Sequence, residues 1–288
     1  MKGAKGAISV PVCSLWPYKL VCGLLKVSLG KGLNLQTNTY VTSVSQQPSK
    51  EGFFTIETSR GPMKARKILF ATNGYTGAIS PEYANVIIPW KGICSRTVVK
   101  SNGIAPNLSN TYNIHNLSEN PEYMNPRPDG SIIVGGGKDT FEKDYGLYWN
   151  NPDDSTLIEP AKHYFDNYVS DRFVDYASLN TSVENLWTGS KPELRPPFTT
   201  KLADSRFPYL VMGRTVDGIP HVGTVPGKQN QFIMAGFNGG GMSWIFLTGK
   251  AMASMIRDDV PYEETGLPCV FKATKERLKS ALRDASKV

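Results

Sequence analysis

A chain of 288 residues, 40% of them hydrophobic and 20% charged, has a globular composition and is long enough to bury one large core or two interlocked ones. The net charge of +7 is spread out, and the densest basic stretch, residues 272–283, also carries Glu276 and is followed by Asp284; it reads as a solvated terminal helix, which argues against a nucleic-acid partner. No apolar run is long enough to span a membrane, and Cys13, Cys22, Cys94 and Cys269 lack metal-ligand spacing, so reduced, mostly buried thiols in an intracellular, cytoplasmic protein are expected, with no metal and no peroxisomal C-terminal signal.

Pro17 can start a helix, to which Leu20, Val21, Leu24, Leu25 and Val27 give an apolar face until Gly30 and Gly32 stop it. Extended segments are predicted at residues 33–37 and 39–44, and a hairpin joins residues 53–58 to 63–66 across Gly61-Pro62. The continuous apolar run through Ile68, Leu69, Phe70 and Ala71 suggests a strand covered on both faces, as in a parallel sheet. It ends at Asn73-Gly74, read as a strand end facing a crevice in preference to a simple hairpin.

Residues 87–99 read as one long strand, and a second hairpin turns at Asp129-Gly130. Together they indicate a mostly antiparallel sheet. A helix is predicted over residues 156–169, with Leu157, Ile158, Ala161, Tyr164, Phe165 and Tyr168 on its apolar side. Another extended segment, 182–189, leads into a Pro-rich, irregular stretch over residues 190–208. The loop Gly213 to Gly227 then precedes the most informative part of the chain.

There, an apolar strand (231–235), the cluster Gly239-Gly240-Gly241 and an apolar segment to Ile256 read as strand, tight turn and buried helix. Glycines without Cβ let a backbone approach a ligand, and the helix they open offers unpaired N–H groups and the positive end of its dipole. Such a place suits an anion or a polarised carbonyl. Trp244, Ile245, Phe246, Leu247, Met252, Met255 and Ile256 make this helix apolar nearly all round, so it is expected inside.

Taken in order, Ala71-Thr72-Asn73-Gly74-Tyr75-Thr76, Asp217-Gly218-Ile219-Pro220-His221-Val222-Gly223 and the Gly-rich strand-to-helix turn, with Leu15 to Leu20 and Pro89-Trp90-Lys91-Gly92, resemble the FAD-dependent oxidoreductases of the D-amino-acid oxidase superfamily, nearest the glycine, sarcosine and γ-glutamylputrescine oxidase group. The resemblance implies an α/β (α+β) fold: a partial, Rossmann-like FAD-binding domain (residues 1–85 and 212–260) interleaved with a mostly antiparallel substrate-binding domain (86–211), and a C-terminal tail or helix (261–288). It implies that the backbone near Val41 meets the adenine, that Ala71, Thr72, Asn73 and Gly74 lie near the cofactor, and that Gly213, Thr215, Asp217, Gly218, Pro220 and Gly223 flank the isoalloxazine ring. Gly239, Gly240, Gly241 and Met242 would touch its pyrimidine edge. Trp90, Lys91, Arg96, Tyr123, Arg214 and His221 are the groups expected to face a small amine or amino-acid substrate, oxidised by hydride transfer to flavin N5.

The chain departs from the family pattern in three places. Its opening Gly-x-Gly-x-x-Gly unit has no counterpart, so a truncated member is expected, with apolar edges beside residues 68–71 and poor solubility. The strand 131–134 carries no lysine of the kind some oxidases place at flavin N5. Residues 190–211 intervene between Gly189 and Met212, as an active-site lid or an unspliced segment. No cysteine stands near Met212, so FAD would be held non-covalently. The alternative reading is a catalytically inactive remnant that binds a small ligand or a protein.

Overall fold

The computed structural model describes residues 1–100, 106, 108–116, 120–188 and 211–285, with side chains to residue 281. The chain folds into two compact units, one of residues 1–34, 91–148 and 153–211, the other of residues 35–90, 149–152 and 212–288. Helix and sheet are mixed in the α+β manner expected. The intervening stretch at 190–208 lies outside the described residues.

In the first unit, β6 (Cys94–Val99), β7 (Tyr112–Ile114), β8 (Glu122–Pro126), β9 (Ile132–Gly135) and β10 (Thr181–Trp187) form one antiparallel sheet in the order β10-β6-β9-β8-β7. The β8-β9 hairpin turns at Asp129-Gly130 as predicted, Gly130 taking the positive φ of 78° that such a turn needs. The helix predicted over 156–169 is instead a series of tight turns, with α3 confined to Tyr168–Arg172. Pro160 supports only a short 3-10 turn, Glu159–Ala161, and lacks the N–H that would extend it. Of the predicted apolar side, Ile158, Ala161, Phe165 and Tyr168 are buried, and Leu157 and Tyr164 are half-buried.

Helix α1 (Pro17–Gly30) begins on its proline as predicted but buries none of its residues. Leu20, Val21, Leu24 and Val27 remain exposed, while Trp16, at its N-cap, is covered by the Arg127 guanidinium 4.4 Å from the ring centroid.

The second unit contains the antiparallel sheet of β1 (Val41–Val44), β2 (Phe54–Thr58) and β3 (Met63–Ala65), with the predicted hairpin between the last two. No strand forms at 33–37. A further sheet runs β12 (His221–Thr224), β13 (Gln231–Ala235), β4 (Ile68–Phe70). The β4-β13 pairing is parallel, with Ile68 opposite Gln231 and Phe70 opposite Ile233, so the continuous apolar run was a true signal.

Alternation along β13 sends Phe232 and Ile233 to opposite faces. Phe232 joins Val222, Met252, Met255, Tyr262 and Phe271 beneath α4 (Gly241–Asp258), and Ile233 joins Phe70, Tyr83, Val86 and Ile87 on the other face. The start of β4 is tied to the end of α4 by Lys67, whose Nζ donates to the Ile256 carbonyl (2.6 Å) and to Asp259 (2.8 Å).

Three further sequence expectations need correction. The run 87–99 is two strands, β5 (Ile87–Lys91) and β6, separated at Gly92-Ile93; β5 pairs with β11 (Val211–Thr215), whereas β6 pairs with β9 and β10. Helix α4 is only half inside: Thr248, Ala251, Met252 and Met255 are buried, but Trp244, Ile245, Phe246 and Leu247 are 45, 44, 68 and 63% exposed. A three-stranded sheet covers one side of a helix that is apolar on several. The terminal helix α5 (Lys275–Ala285) is not merely solvated, because Ala281 is buried and Leu278 packs on the core. The cysteines are not mostly buried as expected: Cys94 is buried, Cys22 half-buried, and Cys13 and Cys269 are exposed.

Among the described residues no helix is long and apolar enough to cross a membrane, and no group of His, Cys, Asp and Glu could hold a metal ion.

Candidate functional site

The site is assembled where the segment after β4 meets the segment after β13. Beyond Phe70 the chain passes through exposed Ala71 and Thr72 into a 3-10 turn, Asn73–Tyr75, in which Asn73 takes a φ of 44°. The Asn73 amide oxygen accepts the N–H groups of Gly236 (3.0 Å) and Phe237 (3.3 Å). Gly74 meets β11 closely: a Cβ there would lie 2.7 Å from the Met212 carbonyl oxygen, and one on Gly213 would lie 2.6 Å from the Asn73 amide oxygen and 2.9 Å from the Gly74 nitrogen. The two glycines allow one backbone to rest on another.

Asn238 repeats the device on the other side. Its Oδ1 accepts the Thr215 N–H (2.8 Å), its Nδ2 donates to the Gly236 carbonyl (2.6 Å), and its own N–H donates to Gly213 (2.9 Å). These bonds fix the path of the turn as it delivers the chain through Gly239 (φ 82°) and Gly240 to α4. Among the described residues no side chain caps α4, and no acid lies in its first turn, so the N–H groups of Gly241 and Met242 keep their positive field.

Next to this turn lies a cleft of about 280 Å³, lined by Gly218, Ile219, Pro220, Phe237, Asn238, Gly240, Trp244, Val270 and Phe271. Its wall at 217–220 is an Asx turn, with the Asp217 carboxylate accepting the Ile219 N–H (3.2 Å) and the Arg277 Nε–H (2.8 Å). Burial alone would raise the Asp217 carboxyl, but the Arg277 hydrogen bond and charge hold it below the usual range.

The remaining predicted residues are distributed as follows. Val41 is an exposed residue of β1. The Arg214 guanidinium lies 5.1 Å from the centroid of the Trp90 ring, so these two are brought together. Lys91 belongs to the first unit and is buried, its Nζ donating to Thr156 Oγ1 (2.9 Å), whose own hydroxyl donates to Asp153 (2.7 Å). Burial lowers the Lys91 pKa, with Asp153 and Asp154 opposing. In the same unit Arg96 pairs with Asp129 and Glu184, and Tyr123 lies against the Cys94 thiol (2.6 Å).

His221 has no exposed surface and meets the Tyr83 ring edge-on, centroids 5.4 Å apart. Burial, with the Arg277 charge adding and Asp217 opposing, brings its imidazole down to about 4, so it is neutral at pH 7. An unfolded chain with an ordinary imidazole near 6.5 binds a proton that the folded protein refuses until about 4. Stability is therefore full above about pH 6.5 and falls by about 3 kcal/mol as the pH drops to 4. Denaturation midpoints across that window are expected to fall steeply with acid in the wild type and much less in His221→Asn; equal slopes would contradict this origin.

A family model for the FAD dependent oxidoreductases (DAO) matches residues 2–255. The chain belongs to this FAD dependent oxidoreductase family. A curated relative, the probable oxidoreductase OrdL of Rhizobium meliloti (strain 1021), is 29% identical over 120 residues, 42% of this chain and 27% of that protein. Two similar solved structures are glycine oxidase from Geobacillus kaustophilus (TM-score 0.63, 15% identity, covering 89% of this chain and 57% of that one) and iminodiacetate oxidase from Chelativorans sp. BNC1 (TM-score 0.58, 17%, covering 88% and 57%). These likenesses are of fold, and the chain spans less than two thirds of the length of each.

For this member of the family, sequence reasoning did not assign Gly236, Asn238, Trp244, Phe271 or Arg277 to the site. An asparagine directly before a glycine cluster was the available signal for Asn238, since Asn tolerates the positive φ (53°) it adopts. Arg277 lies in a stretch whose mixed charges resemble any solvated helix.

Proposed function

We propose that the second unit holds the isoalloxazine end of a non-covalently bound FAD and that the protein oxidises a small amine or amino acid. The observation that carries this reading is the convergence of Asn73, Gly74, Gly213, Thr215 and Asn238 on an uncapped, eighteen-residue helix beside a cleft. A Cβ on Gly218 would meet nothing within 4 Å, and one on Gly239 only the Met212 sulfur at 3.6 Å, so this margin has room for a group lying against backbone. Gly239 to Met242 would hold the pyrimidine edge, and Gly213, Asp217, Gly218 and Pro220 the ring beside it. Bound there, FAD would supply the acceptor for a hydride from the carbon next to the substrate nitrogen.

The chain's own part is electrostatic and geometric. The N-terminus of α4 favours negative charge next to it without reorganising. Arg214 is exposed while its planar fork rests over Trp90, an arrangement suited to binding a carboxylate bidentately. Glycine oxidase and iminodiacetate oxidase are named for substrates that combine amine and carboxylate, which supports a small amino acid. Lys91 and His221, both buried, are assigned no step.

The test is an absorbance spectrum of protein mixed with FAD and freed of excess. Flavin bands that co-elute and bleach under nitrogen on adding glycine or iminodiacetate would support the reading; a colourless, folded protein would refute it. That second outcome would select a binding module without activity, a reading favoured by the exposed front of α4, Met242 to Leu247.

A further inference from the structure

One guanidinium contacts both walls of the cleft. From α5, Arg277 donates through Nη2 to the Ile219 carbonyl (2.7 Å) and through Nη1 to the Pro220 carbonyl (3.0 Å) on one wall, and through Nη1 to the Val270 carbonyl (3.0 Å) on the other. Nη1 also reaches the Lys272 carbonyl (3.1 Å), and Nε reaches the Asp217 carboxylate. The side chain is 17% exposed. Only arginine presents five N–H donors in a plane, and a lysine could satisfy at most part of this set from a single point.

The helix that carries Arg277 is itself anchored. Thr274 accepts the Arg277 N–H on its hydroxyl (3.2 Å), a cap at the start of α5, and Ala273 donates to the Val222 carbonyl of β12 (2.9 Å). Trp244 of α4 meets Phe271 edge-on, with centroids 5.3 Å apart, closing the floor of the same cleft. The walls at 218–220 and 270–271 come from separate turns. Among the described residues Arg277 is the group that hydrogen-bonds to both.

We propose that Arg277 is a positioning residue that sets the width of this cleft and so orders residues 217–220 for the ligand that lies beside them. It rests on the flavin reading for the identity of that ligand, but not for the clasp itself. A residue needed only for general stability would loosen the whole unit, whereas a clasp acts on its two walls.

The experiment compares wild type, Arg277→Lys and Leu278→Ala. Leu278, one position on, packs on the core. Hydrogen exchange is read on peptides covering 216–222 and 268–272 and, as an internal reference, on β13; FAD affinity is read by fluorescence titration. In Arg277→Lys the wall amides should exchange at least tenfold faster with β13 unchanged, and FAD affinity should fall at least tenfold. In Leu278→Ala any loss of protection should be shared by β13. Wall exchange that is unchanged, or that rises in step with β13, overturns the clasp; altered walls with wild-type FAD affinity overturn its role in positioning. If wild type binds no FAD, the flavin reading fails, and the exchange comparison still decides the clasp.

Discussion

Gly213→Ala is expected to lower the stability of the protein by about 2–3 kcal/mol, at the upper end for adding one methyl to a packed interior. The added carbon would sit 2.6 Å from the Asn73 amide oxygen and 2.9 Å from two backbone atoms, and none of these is the free end of a flexible chain. Relief requires β11 to move off the Asn73-Gly74 turn, which also disturbs the bonds from Asn73 to Gly236 and Phe237. Gly74→Ala presses on the same crossing from the other side, so the double variant should cost clearly less than the sum of the two. Gly249→Ala is the control: inside α4, with nothing within 4 Å of the new carbon, it should stabilise by roughly 1 kcal/mol. Urea midpoints for the four variants test this, and a Gly213→Ala protein within about 0.5 kcal/mol of wild type would mean the crossing is looser than described.

The second large effect is expected at Glu122, far from the cleft in sequence and in the other unit. The residue is 3% exposed, and its carboxylate accepts from the Tyr164 and Tyr168 hydroxyls, the Asn116 amide (2.9 Å) and Arg172 (3.4 Å), while the Arg172 guanidinium lies 3.7 Å from the Tyr168 ring centroid. Burial and the neighbouring carboxylate keep both tyrosines protonated, so they remain donors at every working pH. Glu122→Ala leaves four donors, one of them the partly buried Arg172 cation, without their acceptor and should cost about 3–5 kcal/mol. Glu122→Gln keeps one carbonyl acceptor and should cost less than half as much. The ordering of the two in chemical denaturation is the check; equal losses would mean that the carbonyl kept by glutamine counts for nothing and that the carboxylate charge, removed in both variants, carries the cost.

Much of the fold was legible because local chemistry and tertiary setting agree. Pro17 begins α1, Asp129-Gly130 turns a hairpin, and the unbroken run Ile68, Leu69, Phe70 becomes a parallel strand. The failures have a common cause: periodicity reports which residues are apolar, not what covers them. Tyr164, Phe165 and Tyr168 sit at helical spacing, yet Pro160 and the pull of Glu122 on two tyrosines favour turns. Trp244 to Leu247 are apolar enough for a core, but the sheet beneath α4 is three strands wide.

At the site, Asn73-Gly74 and the glycine cluster announced themselves through residue types that tolerate positive φ. Their being joined to each other, through Asn73 to Gly236 and Asn238 to Gly213 and Thr215, depends on partners well over one hundred residues away in one case and more than twenty in the other. No window of sequence contains both halves of such a bond.

That long reach governs the order in which the protein can form. The second unit is stitched from segments on either side of a long insertion, and its β4-β13 ladder closes a loop of some 160 residues, an entropically slow step. On the ribosome, residues 35–90 must wait for everything up to Ala235 before their parallel neighbour exists, while β6 to β9 of the first unit already have one another and can pair early. The antiparallel sheet can thus mature before the segments that flank it in sequence have met, and the cleft waits for Arg277.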